Sequence, residues 1–214
     1  MQTPLLLVEL SIVMLFFFCL TFLVGEVAFG VPIVYILADS VRHNRRKEDF
    51  GLKHESFVSD LHKNASLVVL GVIVIQSTIV LGSLILFPPY LQYIITNRAW
   101  SINMSFGMFV FMLFSIPLTT MLEEVIFRGL VQERLGWFFN KKASLTIASF
   151  LFAAIHWIPD DVFIILIDLI AIAAGGFVYG IIYMRCRNVY IAWFAHMFSD
   201  LYGIVLLFII FNVL

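Results

Sequence analysis

Long apolar runs separated by short polar breaks dominate the chain. A bilayer core of about 30 Å is crossed by roughly 20 apolar helical residues, and that length divides the sequence. Residues 5–38 are apolar almost throughout, interrupted only by Glu9, Gly25-Glu26 and Pro32. This run is too long for one upright span and short for two, so it predicts one span with a tilted, kinked or interfacial continuation. Residues 39–63 form the one long polar stretch. A second span is predicted over 66–87, stopped by Pro88-Pro89, and a third over 104–122, its helix continuing through Arg134. A short fourth, 143–157, ends before Pro159; the fifth covers 162–184 and the sixth 189–214. The expected fold class is all-α, a polytopic membrane helix bundle of about six transmembrane spans. It divides into an N-terminal membrane segment with a basic cytoplasmic loop (1–65) and a transmembrane core (66–214).

Charge placement tests that layout. Basic residues concentrate in cytoplasmic loops of membrane proteins. Twelve of the thirteen Lys and Arg residues fall in or beside the connections between spans one and two, three and four, and five and six. Only Arg98 lies on the other side. Those alternate connections are expected in the cytoplasm, with both termini outside unless the first run crosses twice. The amino terminus has no basic n-region or small-residue cleavage site, so it is expected to be retained.

Composition agrees. The 214 residues are 62% hydrophobic and 13% charged, with mean hydropathy +1.04. Soluble domains carry about 25% charged residues, so much of this apolar surface must face lipid. The bilayer is the first expected partner. No basic block long enough for nucleic acid is present, and none is expected as a partner. Cys19 and Cys186 form neither a disulfide framework nor a zinc spacing.

Ionisable groups within spans cost about 2.5–3.5 kcal/mol each at the membrane centre and therefore point to function. The densest cluster is Glu123-Glu124-Val125-Ile126-Phe127-Arg128. Residues four apart share a helix face, so Glu124 and Arg128 can pair. Glu123, about 100° around the helix, has no local partner and can take a proton or hold a water. The same segment can instead be a helix-packing ion pair at the inner interface. His156 closes the fourth span, and His196 lies in the sixth with Asp200 one turn further along the same face. Convergence of these helices would place two imidazoles and several carboxylates in one polar site. Imidazole with carboxylate can deprotonate a water, and a second imidazole can stabilise an oxyanion. The same set can ligate zinc, with His156, His196 and Glu124 as ligands and a water in the open position. Neither HExxH nor GxSxG occurs. Glu9, Glu26 and Asp168 belong to no motif; Asp168 reads as a helix–helix hydrogen-bonding residue, and Gly175, Gly176 and Gly180 as close helix packing.

The ordered set EEVIFR, FAAIH and HMFSD resembles the CPBP family of intramembrane proteases, also called the CAAX protease and bacteriocin-processing or Abi family. EEVIFR fits Glu-Glu-x-x-x-Arg, FAAIH fits Phe-x-x-x-His, and HMFSD fits His-x-x-x-Asn/Asp. Gly176-Phe177-Val178-Tyr179-Gly180, Tyr183-Met184-Arg185, Asn188 and the Phe50-Gly51-Leu52 step are similar to flanking features of the family. The resemblance covers about residues 100–200. It implies peptide-bond hydrolysis by a Glu/His-activated water, of the type II CAAX prenyl endopeptidase kind or in bacteriocin processing and immunity. The substrate would be membrane-associated or lipidated, and the location the plasma membrane of a prokaryote. By resemblance Glu123 is the general base, helped by His156; His196 with Asp200 forms the oxyanion side; Glu124 and Arg128 support the site. Asp200 departs from the commoner Asn, because an ionised Asp cannot donate to an oxyanion. Family members are described as metalloproteases, and a metal-free glutamate mechanism fits the same residues. A site opening to the cytoplasmic half is expected. His156 would then lie about 20 Å deeper than the start of its span, at odds with Glu123 and His196 nearer the surface. A non-catalytic immunity or scaffold protein and a proton-coupled transporter are the alternative readings.

Overall fold

A computed structural model describes residues 4–97 and 106–213. The described residues are helical almost throughout: α1 (Pro4–Val24), α2 (Gly30–His43), α3 (Phe57–Val69), α4 (Gln76–Leu86), α5 (Pro88–Asn97), α6 (Phe106–Glu124), α7 (Glu133–Leu135), α8 (Lys141–Ala154), α9 (Val162–Cys186) and α10 (Val189–Val213). Two π-helical segments, Leu70–Ile75 and Val125–Gln132, join α3 to α4 and α6 to α7. Five helical stretches among the described residues are long and apolar enough to cross a membrane. With the shorter α8, the bundle agrees with a layout of about six spans.

The N-terminal run departs from the expected single span. A turn of 3-10 helix, Gly25–Phe29, separates α1 from α2, and Gly25 takes a left-handed φ of 62°. Arg42 Nη1 then lies 3.0 Å from Glu9 Oε1 across thirty-odd residues of sequence. The two arms therefore run antiparallel as a hairpin, and Glu9 sits at the same end as the basic loop. Leu10, Met14 and Phe17 of α1, with Ala28 and Ile36, pack on Phe127, Leu130 and Phe152. Gly25-Glu26 and Pro32 interrupt the hydropathy of the run, but nothing in that pattern distinguishes a kink from a reversal.

The three basic connections meet at one end of the bundle. Arg134 pairs with Asp39, which also accepts from Arg45 Nε at 2.8 Å. Arg187 pairs with Glu133, which takes a second bond from the Tyr183 hydroxyl at 3.0 Å. Asn188 Nδ2 donates to Asp60 Oδ2 at 2.9 Å and to the Lys53 carbonyl at 2.8 Å. Gly51 enables the closest of these contacts. It holds φ 75°, and a Cβ there would lie 2.7 Å from Tyr183 Cε2. A Cβ on Gly129 would likewise meet the Phe50 carbonyl at 2.6 Å. Phe50 is thus driven into the bundle, and its ring is covered by the Arg134 guanidinium at 5.1 Å.

Candidate active site

The site is built where α6, α8 and α10 cross. Glu123 and Glu124 are the last two residues of α6, immediately before the π-helical Val125–Gln132. A π segment closes i→i+5 hydrogen bonds and recurs at functional sites. Pro117 lies inside α6; its carbonyl accepts from Trp193 Nε1 of α10 at 2.9 Å, tying the two helices one turn and a half from the carboxylates. α8 starts at Asn140, whose side chain caps Ala143 N at 2.9 Å, and ends at Ala154, so His156 stands just beyond its last turn. α8 and α9 pack closely because Gly176 and Gly180 carry no side chain; a Cβ at Gly180 would meet Leu145 at 2.4 Å and Gln132 Oε1 at 2.9 Å. Gln132 Nε2 instead donates to the Gly180 carbonyl at 2.9 Å.

All the motif residues converge. Glu124 is fully buried and receives Arg128 Nε on Oε2 and His196 Nδ1 on Oε1, each at 3.0 Å. A carboxylate only accepts, so His196 Nδ1 is a donor to ionised Glu124. This aims His196 Nε2 at Glu123 Oε2, 3.7 Å away, and at Asp200 Oδ2, also 3.7 Å away. His156 Nε2 approaches the other Glu123 oxygen at 3.9 Å. Its Nδ1 lies 2.8 Å from the Phe152 carbonyl; a carbonyl only accepts, so that nitrogen carries the proton and Nε2 is the nitrogen turned to Glu123. The three approaches to Glu123 and Asp200 exceed direct hydrogen-bond length. The Glu124–Arg128 pair is present at the expected spacing.

Aromatic rings fix the imidazoles. Tyr179 stacks on His196 with centroids 4.7 Å apart and planes at 18°. Phe152 packs edge-on against His196 at 5.5 Å and beside His156 at 4.8 Å, and Arg128 Cζ lies 5.3 Å from its ring. Tyr179 was legible only as part of the Gly176–Gly180 flank. Its stacking role carries no sequence signature beyond an aromatic between glycines.

Zinc held by His156, His196 and Glu124 does not fit this arrangement, and Glu124 is the misfit. Both its oxygens are taken by protein donors, on the face of His196 away from His156. Among the described residues no group of three or more His, Cys, Asp or Glu side chains is placed to hold a metal ion. Asp200 does not orient His196 through Nδ1, since Glu124 occupies that nitrogen.

A cavity of about 530 Å³ adjoins these groups. Its wall includes Glu123, His156, His196 and Asp200, then Met112, Ser115 and Thr119 of α6, Asp168 and Gly175 of α9, and Gly203 and Leu207 of α10. Every one of these residues beyond the site lies on the side away from the basic connections. The expectation of an opening to the cytoplasmic half is thereby overturned. The same geometry removes the mismatch in depth. The helix carrying Glu123 continues to Leu135 at the basic end, about 18 Å further along at 1.5 Å per residue, so Glu123 lies as deep as His156. At the far end Asp168 accepts from the hydroxyls of Tyr90 at 3.3 Å and Tyr93 at 3.2 Å, pinning α5 to α9. Asp168 is the helix–helix hydrogen-bonding residue expected. Glu26, at the hairpin turn, also lines the cavity.

No curated protein and no solved structure matches the chain. A family model does match, over residues 104–202: the type II CAAX prenyl endopeptidase Rce1-like family. That interval holds Glu123, Glu124, Arg128, His156, His196 and Asp200, the side chains that meet at the inner end of the cavity. Over residues 104–202 the chain is thus of the Rce1-like type II CAAX prenyl endopeptidase family, in agreement with the CPBP group of intramembrane proteases.

Proposed function

We propose that the protein is an intramembrane endopeptidase, of the CAAX-processing type, that hydrolyses a peptide bond with a water activated by Glu123. The observation that carries this reading is the position of Glu123 between two imidazole Nε2 atoms, at 3.7 and 3.9 Å, on the wall of a cavity. Glu123 accepts a proton from water as the water oxygen adds to the scissile carbonyl carbon. The C–N bond then breaks, and the proton passes to the leaving amine. His156, anchored through Nδ1, holds the carboxylate. His196 Nε2 faces the space where the carbonyl oxygen becomes an oxyanion. Donation there requires His196 to carry protons on both nitrogens, because Nδ1–H is committed to Glu124. Asp200 borders the same Nε2 and shapes the cavity side of the ring. Glu124 and Arg128 touch no substrate in this scheme; they position His196. The membrane is proposed to be the plasma membrane of a prokaryote.

The test uses wild type and Glu123→Ala, each reconstituted with native membranes, with released peptides read by mass spectrometry. Peptides appearing with wild type alone are expected, and their ends define the substrate. Removal of a general base costs about 10²–10⁴-fold in rate. Retained release by a folded Glu123→Ala protein would refute the reading.

A further inference from the structure

We propose that substrate reaches the site from the face of the membrane opposite the basic connections, so that the cleaved segment is a stretch of polypeptide presented on the extracytoplasmic side. This rests on the protease reading for what is cleaved, but not for where the cavity opens.

Three helices give the direction. α10 starts at the basic end with Val189, and the cavity wall begins on it at His196 and ends at Leu207. α6 and α9 approach the basic end with their C-terminal parts; their walls run from Glu123 back to Met112 and from Tyr179 back to Asp168. Each covers eleven residue steps, about 16 Å of helix at 1.5 Å per residue, all of it beyond the site as seen from the basic end. Side-chain exposure follows the same axis. His196 is 6% exposed, and Asp200, one turn further from the basic end, is 43% exposed.

The basic end itself is shut. Glu124, Arg128, Phe127 and Leu130 are wholly buried beneath the site, and Phe50 is inserted under them. Asp39–Arg134, Glu133–Arg187 and Asn188–Asp60 link the three connections over it. With twelve of thirteen basic residues in or beside those connections, the positive-inside rule assigns that end to the cytoplasm. A segment entering from the far mouth spans the 16 Å in roughly five extended residues, at about 3.3 Å each. The substrate class is therefore a polypeptide with at least that length of unfolded chain outside, at or within the outer leaflet.

Thiol access tests this without turnover. In a Cys19→Ser/Cys186→Ser background, Thr119→Cys and Ile158→Cys report the cavity, and Lys47→Cys reports the basic end. A charged, membrane-impermeant methanethiosulfonate reagent is applied to right-side-out and inside-out vesicles. The cavity cysteines are expected to react at least about tenfold faster in right-side-out vesicles, and Lys47→Cys to show the reverse preference. Cavity cysteines that react equally from both faces, faster from the cytoplasmic face, or from neither, overturn the proposal. So does a Lys47→Cys that reacts from outside. Far-side access without any peptide release would sink the protease reading alone, leaving the entry side standing.

Discussion

Arg128 is the residue on which the site's electrostatics turn. It is fully buried, its Nε is bonded to Glu124, and its Nη1 and Nη2 have no hydrogen-bond partner. Removing one member of a buried pair leaves the other charge uncompensated, at a cost of about 3–5 kcal/mol. Arg128→Met is accordingly expected to lower the thermal midpoint in detergent strongly and to release His196 from its orientation. Arg128→Met with Glu124→Gln is expected to recover stability, since no unpaired charge remains, but not activity. Equal midpoints for the single and double variants would show that the pair is not the stabilising unit. The Glu124–Arg128 contact was legible in the sequence because a four-residue spacing on a helix is local. The partner of Glu123 was not: two histidines 33 and 73 positions away reach it only through the packing of α8 and α10, and ring orientation depends on Phe152 and Tyr179.

At the scale of elements, α8 delivers His156, and its position is set by glycine. Gly176 and Gly180 let α8 approach α9 so closely that a Cβ at Gly180 would fall within 2.4 Å of Leu145. Gly180→Val is expected to cost roughly 1–3 kcal/mol through overpacking. The same substitution should reduce turnover by withdrawing His156 from Glu123, while a Leu145→Ala second change recovers part of both. Activity unchanged in Gly180→Val would mean that α8 is located by other contacts. The glycine group was recognisable as a packing feature from sequence. The α1–α2 reversal was not, because hydropathy records how apolar a run is and is silent about its direction; the deciding contact, Glu9 with Arg42, joins two residues that looked unrelated.

For the whole molecule, that hairpin predicts a proximity. With Glu9→Cys and Arg42→Cys in a chain otherwise free of cysteine, a short bismaleimide is expected to bridge the two positions within one polypeptide. Mass spectrometry after digestion would identify the linked pair. A chain in which the N-terminal run crosses once would separate them by most of the bilayer and give no bridge. The helix count, the shared end of the basic connections and the convergence of three motifs could all be read from the sequence. The direction of the cavity could not, since it depends on how far the helix of Glu123 runs past the motif before it meets the polar end.

The closed floor beneath Glu124 and Phe127 has a consequence for traffic. A passage with two openings can let one fragment leave ahead while the other backs out. Here both halves of a cut chain must retreat through the doorway that admitted it, and neither can do so past the other. Departure is then ordered, the half nearer the mouth going first, and the remaining stub bars the next substrate until it follows.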